Sequence, residues 1–415
     1  MPDLRETCAR ALKAAAAAGA GEAEAYAGET VERSVKIEKN DIHLATSSTT
    51  GGLGVRVFRE KALGFASTNA LSAADVDAAG AAAVTVAKSS RPDDANRLPE
   101  PGDLPEVKGL YDPALAETTI GETLEYAKAL LASARDYDPR VTIDGGSVEV
   151  ITHRRAVLNS KGVDAHEVST YVVYYIMGMA RDGEDVSSFQ FEFDVTREKA
   201  GVDVEKVGRR LAEKVIATLG AGKGESFKGT ALLSPDALMS VLCFPIIFSA
   251  NAENVQKGRS AFDREGVPRR QLGIITDGVL KEYMYDTRSA LRDGKSSTGH
   301  AAGGTRSVPG IGPTNMTVKP GETGKDEIIS GIDRGVLVTR FSGWPDPVSG
   351  DFSGVVKGGF LIRDGKLDQP LTGTVIQGNS YEAFKRITAV SSETEQVFSF
   401  KLPYVRVEDV SITSC

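Results

Sequence analysis

Apolar residues follow three kinds of spacing along the chain, and each predicts a different kind of element. Helical spacing appears first in residues 3–18, an Ala-rich run stopped by Gly19 and Gly21, because glycine accepts the left-handed backbone that ends a helix. Ser72 with Asp75, and Thr119 with Glu122, fit the pattern in which a hydroxyl meets the third backbone amide of a helix. They predict helices to about Ser89 and through Ala134. Residues 202–219 are a further amphipathic helix, ended by Gly220-Ala221-Gly222.

Alternation is the second kind of spacing and predicts half-buried strands. It runs through residues 24–48, after which Thr50-Gly51-Gly52 is expected to open a tight connection. Residues 54–58 and 62–66 then form a hairpin turning near Arg59 to Lys61. Four more strands are predicted over residues 147–152, 155–158, 166–179 and 187–195, with a turn at Asn159-Ser160-Lys161-Gly162. Residues 171–177 are apolar on both faces, as a central strand is. Past Gly229 come short strands at 273–275, 278–285, 316–319, 335–341, 359–363 and 372–376, with a helix after Gly378-Asn379.

The third kind is apolar on nearly every side. Ser234-Pro235, a good cap and first helical residue, opens a run containing Met239, Val241, Leu242, Phe244, Ile246, Ile247 and Phe248. A helix with no polar face is buried. Together these elements predict an α+β fold. Residues 91–113 hold five prolines, which block helix and central strand, and read as a linker. The expected organisation is an N-terminal α/β module (1–112), a strand-rich middle module with flanking helices (113–226) and a β-rich, largely antiparallel C-terminal domain (227–415).

Length and charge narrow the function. A chain of 415 residues is long enough for two or three domains. The net charge of −8 gives no support for a nucleic-acid partner. No window suits a membrane span or a signal peptide. Cys8, Cys243 and Cys415 are scattered and odd in number, which points to a reducing cytoplasm.

The chemistry-bearing residues are sparse. A helical zinc hydrolase needs two His one turn apart with a Glu beside the first. The one His-Glu pair, His166-Glu167, lies in a strand pattern with no second His following, and reads more simply as a surface or hydrogen-bonded histidine. The small-residue loop from Ser296 to Thr305 holds Ser297, Thr298, Gly299, His300 and Gly303. Glycines let a peptide backbone approach closely, so a substrate-channel wall is favoured over a merely flexible loop. Ser349-Gly350-Asp351-Phe352-Ser353-Gly354 reads as a turn, with Asp351 more simply its cap than a ligand. Gly51-Gly52-Leu53-Gly54 is too short for a phosphate or dinucleotide loop, and no nucleophile elbow is present.

Several of these segments, taken in order, resemble the TldD/TldE family, also called PmbA or "modulator of DNA gyrase" proteins. They are Gly51-Gly52-Leu53-Gly54-Val55-Arg56, Asn159-Ser160-Lys161-Gly162, residues 313–321, and Ser349 to Gly354 running on through Gly358 to Gly365, with Gly378-Asn379 beyond. The resemblance implies a pair of subunits. TldD-type chains carry an HExxxH zinc helix and a cysteine ligand near the C-terminus; TldE-type chains keep the fold without the metal. The two form a heterodimer that cleaves unfolded or small peptides inside an enclosed channel. In this sequence the zinc helix falls on the apolar run, with Phe244, Pro245 and Ser249 where the first His, the Glu and the second His would stand. Between Val241 and Gly258 there is no His and one acid, Glu253. The resemblance therefore implies a TldE-like chain without a cofactor of its own, with zinc in a TldD-like partner. Ser297, Thr298, Gly299, His300, Gly303, Asp351, Phe352 and Ser353 are the expected channel walls. A homodimer in the partner's absence, a self-associating peptide-binding or regulatory protein, and an enzyme built on His300 or His166 are the readings kept beside it.

Overall fold

The computed structural model describes residues 3–243, 251–252, 260–276, 279–313 and 315–414. Helix α1 (Leu4–Ala17) starts where the Asp3 carboxylate accepts the Arg5 and Glu6 amides. Three long strands follow: β1 (Glu22–Glu38), β2 (Asp41–Arg59) and β3 (Ala62–Thr68). Their two-residue turns place Lys39-Asn40 and Glu60-Lys61 at positive φ, the turn whose twist matches that of the strands. The hairpin near Arg59 is as expected, but Thr50-Gly51-Gly52 is not a connection. It lies inside β2, where Thr50, Gly51 and Gly52 pair with Thr30, Glu29 and Gly28.

Helices α2 (Ala73–Lys88) and α3 (Ile120–Arg135) begin at Ser72 and Thr119, and Thr119 with Glu122 forms a complete capping box. The proline-rich stretch between them is neither helix nor long strand. The expected strands at 147–152 and 155–158 are one strand, β4 (Val141–Asn159). It turns through Gly162 at φ 101 into β5 (Asp164–Asp182), which is followed by β6 (Gln190–Thr196) and helix α4 (Val204–Ile216).

These strands form one antiparallel sheet in the order β3-β2-β1-β4-β5-β6. The β1–β4 pairing joins the strands on either side of the proline-rich stretch over fifteen residue pairs, from Glu24–Asn159 to Glu38–Gly145. All four helices cover one face. Ala25, Ala27, Leu53, Val55 and Val57 pack under α1 and α2, and Val35, Val150, Val172, Tyr174 and Ile176 pack under α3 and α4. Each large aliphatic side chain buried there contributes roughly 1.5–3 kcal/mol.

The second sheet centres on β7 (Phe227–Leu233). Its partners are β8 (Arg334–Val338), parallel, and β14 (Phe400–Ser414), antiparallel. Around them lie β9 (Asp351–Lys357), β10 (Phe360–Arg363), β11 (Lys366–Thr372), β12 (Thr374–Asn379) and β13 (Ile387–Val397). Most pairings are antiparallel, so the molecule is α+β. Residues 351–354 are therefore not a turn. The turn is at Asp346–Gly350, and β9 begins at Asp351. The apolar run after Ser234 gives one helical turn, Pro235–Leu238, and then a wider π-helical turn, Met239–Cys243. Val241 and Leu242 are buried, and the Val241 carbonyl accepts from Ser380 Oγ at 2.7 Å. Phe244, Pro245 and Ser249 lie outside the described residues, as do the side chains of Cys243 and Cys415.

Candidate functional site

The four helices leave the other face of the N-terminal sheet to be covered by the C-terminal part of the chain, and the polar chemistry collects there. Alternation decides which side chains arrive: Glu24, Tyr26, Gly28 and Thr30 from β1, and Arg56, Gly54 and Gly52 from β2. From β4 come Val157, Arg155 and His153, and from β5 Glu167, Tyr171, Val173 and Tyr175.

At the β1–β2 end, residues 261–265 press onto this face. Arg56 reaches Glu24 at 2.5 Å and Glu265 at 2.8 Å, and Arg264 reaches Glu24 at 2.9 Å. All four side chains are almost fully buried. Arg264 also lies 3.9 Å from the centre of the Tyr26 ring. Burial opposes the charge on Arg56, but Glu24 and Glu265 raise its guanidinium above the ordinary value. Asp263 sits beside them and accepts the amides of Glu265, Val267 and Ala301 at 2.8–3.0 Å. Burial, with Glu265 adding to it, pushes the Asp263 carboxyl up to about 6. In sequence these acids and bases look like ordinary solvated residues. Nothing in their spacing shows that residues 24 and 264 meet.

The glycines of β1 and β2 act here. A Cβ on Gly54 would stand 2.5 Å from the Thr305 carbonyl, and one on Gly52 2.7 Å from Thr305 Oγ1. The strip of bare backbone thus seats the tip of the Ser296–Thr305 loop. Further along, Thr30 Oγ1 lies 2.9 Å from His153 Nδ1. Burial, and then Arg155, holds the His153 imidazolium below its ordinary pKa, so the ring stays neutral near pH 7. Arg155 pairs with Glu167 at 2.9 Å and donates to the Phe262 carbonyl.

The residues singled out in the sequence fall into two groups. Ser297, Thr298, Gly299, His300 and Gly303 lie in the segment that covers the N-terminal sheet. Thr298 and His300 are buried, with His300 Nδ1 2.9 Å from Thr298 Oγ1. Gly299 (φ 73) lies against the backbone of Pro268 and Arg269, and Gly303 (φ 130) is exposed. Asp351, Phe352 and Ser353 are elsewhere, on β9. Asp351 accepts from Asn379 Nδ2 at 2.8 Å, Phe352 is buried edge-on against Phe341, and Ser353 faces outward.

One concavity involves neither group. It is a cleft of about 890 Å³ between the outer face of β5–β6 and the tip of the β13–β14 hairpin. Tyr171, Val173 and Tyr175 form its floor, which explains the doubly apolar pattern of residues 171–177: one face is core and the other is cleft. Phe398, at the hairpin tip, stacks on Phe193 with centroids 4.9 Å apart and reaches Phe191 at 6.3 Å.

Zinc-type donors do not converge among the described residues. Among the described residues, no three His, Cys, Asp or Glu side chains are grouped as a metal would need. His300 is held by Thr298, His153 faces Thr30, and His166 stands at the exposed end of β5, 4.0 Å from Asp164. The described donor set does not fit a zinc site.

Three family models match successive parts of the chain: PmbA/TldA metallopeptidase domain 1 over residues 23–87, the central domain over 113–219 and the C-terminal domain over 258–414. The chain belongs to the PmbA/TldD family. It is similar to an uncharacterized protein of Methanocaldococcus jannaschii, at 28% identity over 88% of this chain and 91% of that one. Metalloprotease PmbA of Escherichia coli O157:H7 is 25% identical over 97% of this chain and 96% of its own length. The crystal structure of TldE from Thermococcus kodakarensis superposes with a TM-score of 0.88 at 25% identity, covering 97% of this chain and 99% of that one. The family is one of metallopeptidases, and the PmbA/TldD relatives carry that name. No helix among the described residues is long and apolar enough to cross a membrane.

Proposed function

We propose that this chain is the non-catalytic, TldE-like half of a heterodimeric TldD/TldE-type zinc metallopeptidase acting on unfolded or small peptides. One observation carries the reading: the stretch from Val241 to Gly258, where the family resemblance puts a zinc helix, contains no histidine. No shift of register restores HExxxH. The similarity to a TldE structure over nearly the whole length supports it further. In the complex, a TldD-like partner holds the zinc that activates water and polarises the scissile carbonyl. This chain's share is to bind and align the peptide beside it, with the covered face of its N-terminal sheet as a rigid wall.

The test is a pull-down of the tagged chain from its native cell, with zinc analysis and a peptidase assay with and without chelator. The expected result is capture of a chain bearing HExxxH, activity lost on chelation, and no stoichiometric zinc in this chain purified alone. Stoichiometric zinc in this chain alone would overturn the reading. A chain that comes down alone and inert would replace it with a self-associating peptide-binding or regulatory protein.

A further inference from the structure

We infer that the cleft between β5–β6 and the β13–β14 hairpin is a binding subsite for an extended peptide. The subsite takes one aromatic side chain and, about four residues away, a carboxylate. The inference rests on the peptidase reading only in taking a peptide as the ligand class.

The floor dictates the shape of the ligand. Cross-strand neighbours on this face are Met177 with Phe191, Tyr175 with Phe193 and Val173 with Val195, and Arg197, one residue past β6, lies over the Tyr171 ring. From Phe191 to Arg197 is six strand steps, or about 20 Å. That is the span of about six extended residues, and its two-residue spacing is that of alternate side chains on a peptide strand. A compact ligand would leave most of it empty. The cleft is walled on both sides by the same chain.

The two ends differ in chemistry. At one end Tyr175, Phe191, Phe193 and Phe398 present ring faces. At the other, Arg197 lies 5.6 Å above the Tyr171 ring and donates to the Thr170 carbonyl. Neither Arg197 nor Lys401, on the opposite wall, has an ion-pair partner among the described residues. Burial holds the Arg197 guanidinium below its ordinary pKa, although Tyr171 and Glu167 oppose the shift.

Phe398 adds an independent sign. It is 55% exposed and has φ 52 in the turn between β13 and β14. A bulky residue in the left-handed region is an outlier where Gly or Asn is at ease. Such outliers gather at binding sites. Here the ring is held over the cleft at the expense of the turn.

The experiment uses the purified full chain without partner or zinc. Fluorescence anisotropy follows two labelled decapeptides of Gly, Ser and Thr, one with Phe four residues before an Asp and one with Phe four residues after it. At least one should bind saturably. F398N, which suits the turn while removing the ring, should weaken it about tenfold. Replacing the peptide's Asp by Asn should weaken binding to the natural chain severalfold and leave R197Q indifferent. Thermal melts check that both variants are folded, and the peptide substitution probes Arg197 without touching the protein. Absence of saturable binding by either peptide, or affinities unchanged within twofold for F398N and for the Asn peptide, would overturn the subsite. Peptide binding without partner capture would leave the subsite standing and retire the heterodimer alone.

Discussion

Replacing Glu24 by Gln tests what fastens the C-terminal part of the chain to the N-terminal sheet. Glu24 is fully buried and divides its two oxygens between Arg56 and Arg264. Glu265 bonds Arg56 and also accepts the Thr287 amide, so it cannot serve both guanidiniums. Glu24→Gln keeps the shape but leaves two buried cations sharing one direct carboxylate, and turns an amide NH2 group toward one of them. Breaking a buried ion pair from one side costs about 3–5 kcal/mol, because the remaining charge cannot return to water. That is a large part of a typical folding free energy of roughly 5–15 kcal/mol. At about 2 °C per kcal/mol for a large chain, the melting temperature should fall by roughly 6–10 °C. Limited proteolysis should meanwhile open residues 260–313 first, since those are the residues the cluster anchors. A loss below about 1 kcal/mol, with unchanged cleavage, would refute the claim that the cluster fastens the two parts together.

Three further outcomes follow from the same geometry. Asp263 is held near 6 against an ordinary 3.8, so the folded state binds its proton more tightly than the unfolded chain. Its contribution is therefore greatest below about pH 4 and declines by up to about 3 kcal/mol as pH rises through 6; urea midpoints against pH should show this slope, and D263N should flatten it. Gly54→Ala places a Cβ 2.5 Å from the Thr305 backbone carbonyl and should destabilise by about 1–3 kcal/mol, measured by denaturant unfolding; an unchanged midpoint would refute the close approach. Burial raises the Cys8 thiol to about 12, so at pH 8 mass spectrometry should find the Cys8 peptide unalkylated by iodoacetamide until the chain is denatured.

The parts of this protein that its sequence alone determines are those made by neighbours. Asp3, Ser72, Thr119 and Ser234 start helices because a side-chain oxygen two or three residues from an amide is enough to satisfy it. The missing histidines are equally local, since no fold can add a ligand that the chain lacks. Alternation marked β1 and β4 to β6, but it does not choose partners. The β1–β4 pairing across the proline-rich stretch, which makes one sheet from two segments, depends on burying both under a single layer of helices. Gly51-Gly52 looked like a turn because glycine favours turns; as part of β2 it gives the bare backbone on which Thr305 sits. The β13–β14 hairpin escaped notice because register shifts, as between Val407 and Val410, break the two-residue rhythm. Most of the site was invisible for the same reason. Glu24 and Arg264 are 240 positions apart, and Phe193 and Phe398 are 205 apart. Charge and aromaticity acquire meaning only when a distant segment excludes water from them, and that exclusion belongs to the tertiary structure.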